Sequence, residues 1–132
     1  MVACVTRVTA TPAFDEMAGM AQILSVERFL QAANARDLEA MRRLFGTYEG
    51  PITGDQQELE LRMSVIAEIL RHEDYRIVGE QRETGREHPT TRVMVTITKD
   101  GRQIPDVPFL VVQTTSGGWL IEQVDLERIT RG

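Results

Sequence analysis

Apolar residues recur every three or four positions through the first half of this chain and every second position through the rest. The first pattern is helical and the second is that of strands with one covered face. Met20, Ile23, Leu24, Leu30 and Ala33, widened by Val26 and Phe29, predict a helix over about residues 15–34. Asp15 and Glu16 suit its positive N-terminal end. Asp37 is a fair N-cap for a second, shorter helix whose face is Leu38, Met41, Leu44 and Phe45, with Gly46 ending it. The stretch "GTYEGPITGD" reads as a loop, because glycine and proline punctuate it. Asp55, with Glu58 three residues on, caps a third helix. Leu59, Met63, Ile66, Ile69 and Leu70 give that helix a stripe through about His72.

From Asp74 the period falls to two. Tyr75, Ile77 and Gly79 alternate with Arg76, Val78 and Glu80. Val93, Val95 and Ile97 share one strand face, with Met94, Thr96 and Thr98 on the other. Asp100-Gly101 predicts a tight hairpin turn, since a type I′ turn needs positive φ at both central residues. "VPFLVVQTT" is the partner strand, and Pro105 and Pro108 require that it start at an edge or carry a bulge. Ser116-Gly117-Gly118 turns into "WLIEQVDLERI", read as the last strand. Three N-terminal helices on a mainly antiparallel sheet of four or more strands make an α+β domain.

Composition narrows the function classes. A chain of 132 residues is one domain by size and long enough to bury a core. The net charge of -5 removes the main driving force for holding phosphates, so no nucleic acid is expected as a partner. No apolar run reaches the length of about 18 residues that spans a bilayer. His72 and His88 have no partners at metal-ligand spacing, so neither a metal nor another cofactor is expected.

The stretch "VERFLQAANARDLEAMRRLF", through Phe29, Ala32, Ala33, Asp37, Leu38, Met41, Leu44 and Phe45, resembles the opening of nuclear transport factor 2-like domains. That superfamily includes SnoaL-like cyclases and ketosteroid isomerases. "GGWLIEQVDLERI" resembles its final strand, and the likeness covers about residues 16–130. It implies a curved, cone-shaped sheet around the helices, with an interior pocket at the open end. It also implies that homodimers can form through the outer sheet face. The Gly/Pro-rich "GTYEGPITGD" departs from the family's short strand at that place. Fold alone does not decide function.

Catalytic chemistry would need an acid, base or nucleophile inside such a pocket. In the isomerases the resemblance puts the base in the loop after the second helix, where this chain has Tyr48, Glu49 and Asp55. Asp55 is better explained as a cap, and Glu49 as exposed. His72 fits a structural role, satisfying carbonyls at a helix end. His88 sits in the charged connection "RETGREH", and Asp106 is a further carboxylate to place. No catalytic residue is assigned. Tyr48, Phe109 and Trp119 are the candidate ligand contacts, among inner-face residues that include Met94, Thr96 and Val111.

Three readings stand open. The first is a non-catalytic domain that binds a small apolar ligand or another protein. The second is a SnoaL-like isomerase, cyclase or dehydratase working by proton transfer. The third is a module whose cone is filled by its own side chains, with Met17, Met20, Met63 and Met94 as plugs.

Cys4 is the sole cysteine. "MVAC" puts Val2 and Ala3 where a bacterial lipoprotein signal has small or aliphatic residues before the lipidated cysteine, with Met1 where Leu is usual. The basic and apolar parts of a signal would have to precede Met1. On this reading Cys4 is a lipid anchor and residues 1–13 a tether to a bacterial cell envelope, with residues 14–132 as the folded domain. The lipid would be the only contact with the membrane. Otherwise the protein is cytoplasmic and residues 1–13 are a frayed tail.

Overall fold

A computed structural model describes residues 10–131, with side chains from Met20 onward. Helix α1 spans Ala10–Ala35, α2 Leu38–Leu44, α3 Gln56–Leu70 and α4 Leu126–Arg131. Strands β1 (Gly46–Thr47) and β2 (Gly50–Pro51) form a small hairpin. Strands β3 (Asp74–Arg82), β4 (Thr90–Lys99), β5 (Arg102–Gln113) and β6 (Trp119–Val124) form an antiparallel meander in that order. The α+β expectation holds: the described residues form four helices, a four-stranded sheet and a two-stranded one.

Helix α1 begins earlier than the spacing of Met20 to Ala33 predicts. Residues 10–13 of the expected tail are helical, and Pro12 is tolerated in a first turn, where its missing N–H would have no intrahelical partner. Cys4 lies outside the described residues. The helix ends in a Schellman turn. Arg36, at φ 53°, donates its N–H to Ala33 at 3.1 Å, and Asp37 donates to Ala32 at 2.9 Å. Asp37 then caps α2 by accepting from the Ala40 N–H at 3.1 Å. Asp55 caps α3 in the same way through the Glu58 N–H, also at 3.1 Å. That helix stops at Leu70, short of His72.

The Gly/Pro-rich segment is not an open loop. Gly46 pairs with Pro51 and Thr47 with Gly50, so closely that a Cβ at Gly46 would collide with the Gly50 carbonyl oxygen. Only glycine permits that approach.

In the sheet, Asp100 and Gly101 both have positive φ, 54° and 78°, as the type I′ turn requires. Strand β5 runs between β4 and β6, so Pro105 and Pro108 lie on an interior strand. A bulge accommodates them: Val95 faces Val107 and Ile97 faces Ile104, leaving Pro105 and Asp106 opposite Thr96 alone. Asp106 is exposed, at φ 54°. A second bulge at Val78 changes the parity of β3, so the strict alternation through Glu80 does not hold. The last strand also ends sooner than predicted. It stops at Val124, and the Asp125 side chain accepts from the Arg128 N–H at 3.2 Å, starting α4. Ile129 is buried as part of that helix.

The core lies between the helices and one sheet face. Val26, Phe29 and Leu30 of α1, Met41 of α2, and Met63 and Leu70 of α3 meet Val93, Val95, Ile97, Phe109, Val111 and Ile121. Each of these is fully buried. Of the expected methionine plugs, Met63 is core, Met94 is half-buried and Met20 is 61% exposed. The Met17 side chain lies outside the described residues.

A polar clamp locks the end of α3 to the β4–β5 turn. Lys99 Nζ donates to the carbonyls of Ile69 at 2.6 Å and Glu68 at 3.1 Å, satisfying acceptors a helix end leaves open. The Glu73 carboxylate accepts from the N–H groups of Asp100 and Gly101 at 3.0 and 3.1 Å.

Candidate functional site

An apolar groove lies between the outer face of α3 and strand β6. Two sequence features build it. The buried stripe of α3 is Leu59, Met63, Ile66 and Leu70, yet Leu61 and Val65 add an apolar pair four residues apart on the opposite side. They are 67% and 51% exposed. The second feature is that β6 is an edge strand whose outer side bridges Phe45 at Ile121. Beyond that bridge Glu122, Gln123 and Val124 form the far wall, closed at one end by Leu126.

The hollow is about 510 Å³. Phe45 and Ile66 add to its apolar surface. A neighbouring hollow of about 380 Å³ runs along the β1–β2 hairpin and shares Phe45, Arg62 and Glu122 with it. Arg62 lies over the Phe45 ring, 5.2 Å from its centroid. Glu122 is held by Arg86 at 2.6 Å. Large apolar walls with few polar groups are the usual make-up of a small-molecule site.

The residues singled out from sequence fall elsewhere. Phe109 is fully buried in the core, facing Val93 on one side and Val124 on the other. Trp119 is half-buried at the start of β6, and its carbonyl accepts from Ser25 Oγ at 2.9 Å. Tyr48 is half-buried, with its ring stacked on His88 at 3.7 Å between centroids and 12° between planes. None of the three lines the groove. Met94 and Thr96 point away from the face that Phe109 and Val111 share. The sequence reasoning passed over Leu61, Arg62, Val65 and Val124. The signal for two of them was present, since Leu61 and Val65 repeat at helical spacing off the main stripe.

The acid/base candidates are dispersed. His72 is 9% exposed, with both ring nitrogens engaged: Nδ1 against the Leu70 carbonyl at 2.8 Å and Nε2 beside Asn34 Nδ2 at 3.4 Å. Asp55 caps α3. Glu49 is exposed and lines the neighbouring hollow. The perturbed groups lie away from the groove. Hydrogen bonds from Arg92 hold Glu83 below the usual carboxylate range. Burial and the Glu27 carboxylate push the Tyr75 phenol up. Among the described residues no three His, Cys, Asp or Glu side chains converge as metal ligands, and no helix is long and apolar enough to cross a membrane.

The chain matches no protein-family model and no curated protein.

Proposed function

We propose that this chain is a non-catalytic binding domain of the nuclear transport factor 2-like type that takes a small apolar molecule in the groove between α3 and β6. One observation carries this reading: Leu61 and Val65 stand exposed on a folded helix and line an open hollow together with Phe45, Ile66, Val124 and Leu126. Isolated exposed apolar residues are ordinary, but a concave apolar surface with a polar rim marks a binding site. The interior, where a cone-shaped member of this fold would hold its ligand, is here occupied by Phe29, Met41, Met63 and Phe109. A filled interior supports a ligand site on the outer surface.

The test uses a fluorescent apolar dye, 1-anilinonaphthalene-8-sulfonate, with the native protein and a Leu61→Asp/Val65→Asp variant. The native protein enhances the dye, and the variant does not while still unfolding cooperatively. Equal enhancement by both overturns the reading.

A second reading, a SnoaL-like acid/base enzyme, draws on Glu49. It lines the smaller hollow with Arg62 and Glu122, in the segment where the isomerases carry their base. Exchange of ketone α-protons in D₂O, lost in Glu49→Gln, would favour it.

The envelope tether extends the first reading. It rests on Val2, Ala3 and Cys4. Labelling with radioactive palmitate in a bacterial host, abolished by Cys4→Ala, tests it.

A further inference from the structure

Arg62 stands out among the groove residues. It occupies the boundary between the two hollows and lines both. The other cation nearby, Arg86, is spent on Glu122 at 2.6 Å. Among the described residues Arg62 makes no ion pair with any carboxylate. Glu58, one turn earlier on α3 and also on the groove wall, is not paired with it. The guanidinium lies over the Phe45 ring, which positions it without neutralising it. Of the carboxylates that line the two hollows, Glu122 is neutralised by Arg86, whereas Glu58 and Glu49 make no ion pair among the described residues, so the anion has to sit on the Phe45 side of Arg62, away from them.

We propose that Arg62 is the anion anchor of this groove, and that the groove takes an amphiphilic monocarboxylate. The apolar body lies along Leu61, Val65, Ile66 and Val124, and the carboxylate reaches the guanidinium at the boundary of the two hollows. Arginine suits this task because its planar fork meets both oxygens of a carboxylate at once. An uncharged apolar molecule would leave that fork unused. The proposal rests on the groove being a ligand site, and it adds the chemical class of the ligand.

Octanoate and 1-octanol separate the two ideas. Each is titrated into the full chain carrying ¹³C-labelled Leu and Val methyls. Octanoate shifts the Leu61 and Val65 methyl signals and binds about 10-fold more tightly than octanol, the margin a charge-assisted pair supplies. Arg62→Gln removes that margin and leaves octanol binding within about 2-fold of its original value, while Arg62→Lys keeps part of the margin. If octanol binds as tightly as octanoate, or the margin survives in Arg62→Gln, the anchor is overturned and the groove reading stands. If neither molecule moves those methyls, both fall.

Discussion

Asn34 holds His72 by its peptide group. The His72 N–H donates to Asn34 Oδ1 at 3.1 Å, and Asn34 Nδ2 donates to the His72 carbonyl at 2.9 Å. The imidazole completes the arrangement. Its Nδ1 faces the Leu70 carbonyl, so the proton sits there and Nε2 accepts from Asn34. The side chain that most resembles a catalytic group thus ties α1 to the end of α3. Replacing Asn34 by Ala leaves those groups without partners, and stability falls by about 1–2 kcal/mol. Urea denaturation of the variant measures it, and an unchanged midpoint refutes the role.

Acid weakens this fold. The Asp100 and Gly101 N–H groups lower the pKa of Glu73 from its ordinary 4.5, and Arg92 lowers that of Glu83. A carboxylate with a depressed folded-state pKa contributes stability that is present above the unfolded value and lost as pH falls through the folded one. The denaturation midpoint therefore drops as pH is lowered below about 4.5. Glu73→Gln and Glu83→Gln each start less stable at neutral pH and lose less on acidification. Parallel curves for the variants and the native chain count against this origin.

Arg36 occupies a left-handed position that glycine fills without strain. Its guanidinium meets Glu68 at 3.3 Å and Ser64 at 3.0 Å, but both charged side chains are more than half exposed. Such a surface pair offsets little of the backbone cost. Arg36→Gly is expected to stabilise the protein by about 0.5–1 kcal/mol. A lower melting temperature would show that the contacts to α3 outweigh the strain.

Gly46 has the opposite sensitivity. Any Cβ there meets the Gly50 backbone, which cannot move as a side chain tip can. Gly46→Ala should cost about 2 kcal/mol or more and disturb the neighbouring Phe45 wall of the groove. Calorimetry measures the first effect and the Leu61 and Val65 methyl spectra the second.

Most of the framework was legible because local chemistry agrees with the final packing. Asp37 and Asp55 announce their helices, and Asp100-Gly101 announces its turn. The α4 segment was missed because "WLIEQVDLERI" fits a strand alternation almost to its end, and only Asp125 betrays the change. The β1–β2 hairpin hid behind its glycines and proline, which mark turns more often than strands. Tyr48 and Trp119 have amphiphilic rings suited to a ligand, but one is taken up by His88 and the other packs against the core. The groove could not be read locally. Leu61 and Val65 form half of it, and the other half is the free edge of a strand set by tertiary arrangement.

The bulge at Val78 has a bearing on solubility. Strand β3 is the other outer strand of the sheet, nine residues long and mostly exposed, the form that invites neighbouring chains to add on. The extra residue interrupts its pairing register, and Asp74, Arg76, Glu80 and Arg82 add charge along its length. Both devices discourage edge-to-edge growth. Deleting Val78 would restore a regular ladder and leave a straighter template, and the protein would then self-associate into sheet-linked aggregates at concentrations where the native chain stays dispersed.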